Sequence, residues 1–237
     1  MQESQEEKLV EYYQSSADQY DAMQLHEGDE HYNALMFLRG ILAEKKYDSL
    51  LDVGAGTGRA LFYLKEIFPD MDLTGVEPMS AMRQQAIKKG LSSEQIIEAQ
   101  GQSLPFPNKS IDCVTAFGIL HHIQDPEPVI KEIFRVAKKA VFISDHNIYG
   151  MGSSQTKFFK QLLRKSLGFH VLSQIMTKGK GYHDTDYDGI FYPFSLFEHL
   201  DGITNKATET FLLSTKGKAI DLYKDASHVA ILAILEN

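Results

Sequence analysis

Three groups of residues in this 237-residue chain have types and spacings suited to chemistry. The first is Asp52-Val53-Gly54-Ala55-Gly56-Thr57-Gly58, an acid followed by glycines at alternate positions. Glycine there omits Cβ where a backbone turns sharply and lets a ligand lie directly against it. The second is Glu77, whose two acceptor oxygens suit the paired hydroxyls of a ribose. The third is a set of histidines: the adjacent His121 and His122, and His146 within Asp145-His146-Asn147. An imidazole can take a proton from a hydroxyl or an amine near neutral pH. Adjacent rings cannot both face one pocket, so at most one of His121 and His122 reaches a substrate, with His122 preferred. A hydrogen-bonded structural histidine is the alternative for these two, and a strand-end cap is the alternative for His146.

Positioning these groups requires strands that deliver them to one edge of a sheet. Leu50 to Val53 reads as a strand feeding the glycine loop, and residues 57–67 carry Leu61, Leu64 and Ile67 on one helical face. Asp72 to Val76 is a second strand ending at Glu77, with a helix from Pro78-Met79 to about Lys89. Residues 96–99 form a third strand and 100–108 a loop. Residues 111–117 are apolar on both faces, as a central parallel strand should be, and exit into the two histidines. A helix opened by Pro126 and Pro128 runs through Ala137, and residues 139–144 form a fifth strand ending at Asp145-His146-Asn147. Ligands of open α/β sheets bind beyond the carboxyl ends of the strands, where all three groups fall.

Neighbouring residues separate two ligand classes for the glycine loop. A dinucleotide fingerprint G-x-G-x-x-G needs glycine at 59 or 61, where the chain has Arg59 and Leu61. Asp52 would repel a pyrophosphate but suits a ligand carrying sulfonium and ammonium groups. With Glu77 and the segment from Gly101 through Leu104-Pro105-Phe106 to Val114, the loop resembles the class I S-adenosylmethionine-dependent methyltransferases, in their small-molecule branch. That resemblance spans roughly residues 48–146. It implies a Rossmann-like, doubly wound α/β fold of seven strands, mostly parallel with an antiparallel last strand, and helices on both faces. Residues 208–213 and 228–235 would supply the sixth and seventh strands.

The resemblance also implies S-adenosylmethionine as cofactor, with S-adenosylhomocysteine as product. Asp52, Gly54, Gly56, Gly58, Glu77, Met79 and Phe117 would bind it, with Gln102 and Ser103 reading the adenine and Tyr20, of the pair Tyr20-Asp21, closing over it. His122, His121 or His146 would serve the methyl transfer to oxygen or nitrogen of a small molecule. Residues 1–47, rich in Tyr12, Tyr13, His26, His31 and Tyr32, would be a helical lid, with an ordinary surface helix as the alternative and a further helix over 32–45. Residues 148–193 break the alternation and read as an insertion capping the substrate pocket of a single domain.

Composition narrows the partners. A net charge of −8 and a pI near 5.6 oppose general nucleic-acid affinity. The basic run Lys157, Lys160, Arg164, Lys165, Lys178 and Lys180 stands out against that charge, and reads as a solvated helix face, or as a surface for an anionic acceptor or a membrane. His183, Asp184, Asp186 and Asp188 form a turn more readily than a metal site, and no metal is expected. The single cysteine, Cys113, excludes an internal disulfide. No apolar run is long enough to span a bilayer and no signal pattern opens the chain, which points to a cytoplasmic protein. The competing readings are a non-catalytic S-adenosylmethionine-binding regulator and an NAD-dependent oxidoreductase.

Overall fold

The computed structural model describes residues 5–18, 20, 29–185, 189–216 and 220–235. Asp21, His26, Asp186 and Asp188, named above, lie outside them. Helix α1 (Gln5–Ser16) and α2 (Glu30–Lys45) precede β1 (Ser49–Val53), α3 (Arg59–Ile67), β2 (Asp72–Val76), α4 (Ser80–Lys89) and β3 (Ile96–Ile97). Then follow β4 (Ile111–Phe117), α5 (Glu127–Val136), β5 (Ala137–His146), α6 (Ser154–Met176), β6 (His183–Thr185) and β7 (Gly189–Phe191). Helix α7 (Leu200–Thr204), β8 (Glu209–Ser214), α8 (Leu222–Asp225) and β9 (His228–Ile234) complete the order.

Seven strands form one sheet in the order β3-β2-β1-β4-β5-β9-β8. The first five pair in parallel, and β9 lies antiparallel between β5 and β8. This is the expected doubly wound sheet. Alternation along the strands divides the core in two: Leu51, Val53 and Val114 pack with Val129, Ile130 and Ile133 of α5. On the other face Leu50, Cys113 and Phe142 meet Leu35, Leu38 and Leu42 of α2 and Leu61 and Leu64 of α3. Burial pushes the Cys113 thiol far above its ordinary pKa, as befits an inert core residue.

Two boundaries differ from expectation. The third strand stops at Ile97, which leaves Ala99 free to reach the ligand edge. Helix α5 ends at Val136 because Ala137 turns extended (φ −64°, ψ 133°), and β5 grows to ten residues. Residues 148–193 hold α6 and the β6–β7 hairpin. The hairpin packs against α1: the Lys8 ammonium lies 3.0 Å from Asp184, and a Cβ on Gly189 would meet the Tyr12 ring at 3.0 Å.

A short turn at Ile148–Gly150 carries the chain from β5 toward α6 and lies hard against the segment before β9. A Cβ added to Gly150 would fall 1.9 Å from the Ala226 carbonyl oxygen, a backbone atom that cannot yield without moving β9. Gly150→Ala is therefore expected to cost about 2–4 kcal/mol, read as a lowered midpoint of urea unfolding with an unchanged slope.

Candidate active site

The glycine loop turns because Gly54 and Gly56 both take positive φ (72° and 57°), the left-handed region open to glycine at little cost. The amides of Gly54 and Ala55 donate to the Val76 carbonyl at 2.8 and 3.0 Å, which locks the loop over β2. The Gly56 amide donates to Glu77 Oε2 at 2.9 Å, and the Met79 amide to Oε1 at 2.8 Å. Each Glu77 oxygen thus spends one acceptor site on the backbone and retains another for a ligand hydroxyl. Burial pushes the Glu77 carboxyl up, against the pull of those two amides and of Arg83.

Loop and carboxylate open onto a cleft of about 440 Å³, within the range of small-molecule sites. Of the residues named for the cofactor, Tyr20, Gly54, Gly56, Glu77, Met79, Gln102 and Phe117 line it. Gly58 does not: a Cβ there would meet Leu91 at 2.7 Å and Phe62 at 3.2 Å, so this glycine serves close packing at the start of α3. Ser103 is exposed and outside the lining, which at this loop comes from Gln100, Gly101 and Gln102.

Asp52 occupies an adjoining recess of about 60 Å³ with His31, Thr57 and Arg59. It is 3% exposed and accepts a hydrogen bond from the Thr115 hydroxyl at 2.8 Å. Burial pushes its carboxyl up to about 7, partly offset by Thr115 and Arg59. Since the unfolded carboxyl titrates near 4, folding retains a proton between about pH 4 and 7, and stability drops as pH rises through that window. Asp52→Asn should remove this drop, gaining on the order of 3 kcal/mol at pH 8 relative to pH 4; thermal unfolding of both proteins across that range checks it.

The histidines separate. His122 lines the cleft, beside Tyr13 of α1 at 6.2 Å between ring centres. Its Nδ1 lies 2.8 Å from the Ile190 carbonyl of β7, an acceptor only, so Nδ1 carries the hydrogen and Nε2 the lone pair. His121 is buried with its Nδ1 2.7 Å from Asp145 Oδ1, and His146 stacks on it at 3.8 Å. Neither His121 nor His146 is in the cleft lining. The Asp145 carboxylate also accepts from the Leu120 and His146 amides, at 2.8 and 2.7 Å. Burial pushes Asp145 up, but the His121 ring, the His146 ring and the His146 amide together hold the carboxyl well below the usual range. Asp145 and His121 are thus a buttress under the turn that presents His122, with two donors on Oδ1 and one on Oδ2 of the carboxylate.

The sequence reading did not single out Leu9, Tyr13, Ile119, Ile123, Gln124 or Ile190 as site residues, all of which line the cleft. Only Tyr13 carried a signal, as part of an aromatic-rich helix. The Tyr192 amide donates to the His121 carbonyl at 2.7 Å, so the hairpin and the histidine turn are tied at two points.

Residues 51–143 match the family model described as a methyltransferase domain, over the segment that carries the glycine loop, Glu77 and His122. That segment, 93 of the 237 residues, is similar to a methyltransferase domain. Among curated relatives, the demethylmenaquinone methyltransferase of Thermus thermophilus is 37% identical over 98 residues, 39% of this chain and 44% of that one. The enzyme of the same name from Thermotoga maritima is 32% identical over 100 residues, 42% of this chain and 43% of that one. The matched segment thus spans less than half the length of these relatives. Over the whole methyltransferase fold, a solved structure from Thermotoga maritima, described as an S-adenosylmethionine-dependent methyltransferase and possible histamine N-methyltransferase, superposes with a TM-score of 0.62. It is 19% identical, covering 95% of this chain and 99% of that one. At such identity the likeness establishes the fold.

Proposed function

We propose that this protein binds S-adenosylmethionine in the cleft at the carboxyl ends of β1, β2 and β4 and methylates oxygen or nitrogen of a small, apolar acceptor. The observation that carries the reading is the convergence in one cleft of Gly54 and Gly56, Glu77, and a histidine of fixed tautomer, His122. The fit to the cofactor rests on Gly56, where a Cβ would meet no atom within 4 Å, so that bare backbone faces the cleft. It rests also on Glu77, with an acceptor site left on each oxygen for a ribose diol. When bound, the cofactor supplies an activated methyl group on sulfonium, which needs only a nucleophile held in line.

The chain's residues do the holding. Glu77, Met79 and Gln102 are suited to the nucleoside, and Asp52 sets the charge near the glycine loop. His122 Nε2 takes the proton of an un-ionised hydroxyl or a protonated amine on the acceptor. Tyr13, Ile123, Ile190 and Tyr192 are suited to an apolar or aromatic acceptor, with α1 and the 148–193 insertion acting as lid and cap. No lysine or arginine is among the described residues lining the cleft, so an anionic acceptor would find no cation there.

Calorimetric titration with S-adenosylmethionine, S-adenosylhomocysteine and NADH, followed by S-adenosylhomocysteine release against a panel of phenols, amines and quinols, tests the reading. Tight NADH binding without S-adenosylhomocysteine binding would overturn it, and binding without turnover on any acceptor would favour a regulator. Because a cationic ligand favours ionised Asp52, affinity for S-adenosylmethionine should rise several-fold as pH climbs from 6 to 8, and Asp52→Asn should flatten that rise while weakening binding.

A further inference from the structure

Helix α6 has two unlike sides. Inward, Leu163, Phe169, Leu172 and Met176 pack on Ile148, Tyr149 and Tyr223. Three of its basic residues also serve this side: Lys160 Nζ donates to the Ile148 and Met151 carbonyls, Arg164 pairs with Glu198 at 2.9 Å, and Lys157 lies 3.8 Å from Asp225. Outward stand Phe158, Phe159 and Leu162, and beyond the break at Gly168 (φ 84°) Val171 and Ile175, with Leu167 just before it. Phe158 and Phe159 are 64% and 59% exposed, and α6 holds six of the ten large apolar side chains exposed among the described residues. Single exposed apolar residues are ordinary; a set of six on one element needs a cause.

Charge identifies what covers it. Lys165, Lys178 and Lys180 are exposed, and no acid occurs from Ser154 through Gly181 in a chain whose net charge is −8. A second copy docking through this face would set lysine against lysine with no carboxylate to compensate. An interfacial helix combines aromatic and aliphatic anchors with flanking lysines that meet anionic headgroups. No helix among the described residues is long and apolar enough to cross a membrane, so contact would be at the surface.

We propose that the outer face of α6 docks on an anionic lipid surface. The proposal stands on α6 and the lysines of the turn that follows it, Lys178 and Lys180, and is independent of the activity assigned to the cleft. Its test is co-sedimentation of the full chain with phosphatidylcholine vesicles, with and without phosphatidylglycerol. Retention is expected on the anionic vesicles, weakened by salt, and reduced about fivefold for each lysine neutralised among Lys165→Gln, Lys178→Gln and Lys180→Gln. Phe158→Ser with Phe159→Ser should abolish it, while circular dichroism shows the fold retained. The proposal is overturned by no retention on anionic vesicles, by equal retention of the phenylalanine variant, or by a solution dimer that this variant dissolves.

Discussion

Gly56→Val is expected to abolish S-adenosylmethionine binding, lowering affinity by at least about a hundredfold, while the protein remains folded. The argument joins two observations. A Cβ at Gly56 meets no protein atom within 4 Å, so the branched side chain projects into the cleft instead of colliding with the core. Volume added there competes directly with a ligand lying on the glycine backbone. The φ of 57° adds strain that a β-branched residue bears poorly, costing on the order of 1–3 kcal/mol, so a modest fall in melting temperature accompanies the loss. Calorimetry with S-adenosylhomocysteine and a thermal melt of the same sample separate the effects. Gly58→Val is the contrasting control: its Cβ collides with Leu91 and Phe62, so stability should suffer far more than binding site volume. Undiminished cofactor affinity in Gly56→Val would refute the assigned site.

His122→Gln is expected to reduce turnover by about 10²–10³-fold with cofactor affinity unchanged within about twofold, once an acceptor with an un-ionised hydroxyl or protonated amine is in hand. Glutamine keeps a donor for the Ile190 carbonyl but offers no titrating nitrogen at the cleft. The rate of the native protein should rise with pH as imidazole loses its proton, and the variant should lose that limb. His146→Ala makes the comparison sharp. His146 lies outside the cleft and stacks on His121, so its removal should reach turnover only through the His121–Asp145 support. A turnover loss in His146→Ala equal to that in His122→Gln would show that the buttress, and not a base in the cleft, carries the effect.

The sheet was legible because its strands are short apolar runs that end in polar or glycine residues at one edge, as at Val53-Gly54 and Phe117-Gly118. The strand at 228–234 was legible as an apolar run, whereas its antiparallel placement came only from the family resemblance. The direction in which a side chain points was harder. Gly54, Gly56 and Gly58 look alike in sequence, yet Gly58 faces Leu91 from a different element, and only the packed structure decides that. Of the adjacent His121 and His122, only His122 lines the cleft, although their ring centres lie 4.1 Å apart. What separates their environments is Asp145, 24 residues away, and Ile190, 68 residues away. The aromatic wall from α1 was illegible for a related reason: Leu9 and Tyr13 lie more than 100 residues in sequence from the hairpin they face.

The position of β9 has a consequence for assembly of the chain. The five parallel strands can pair as they emerge, yet β5 keeps an unpaired, strongly apolar edge until β9, last of the seven in sequence, slides between it and β8. Until then β8 has no partner in the sheet, and Phe142 and Ile143 border an open ladder that other nascent chains could extend. The half of the sheet that carries the glycine loop can therefore mature early, whereas the half that supports Asp145 and the histidine turn closes only when synthesis has passed residue 234. The glycine loop and the support of the histidine turn thus depend on strands that are completed at different points of synthesis.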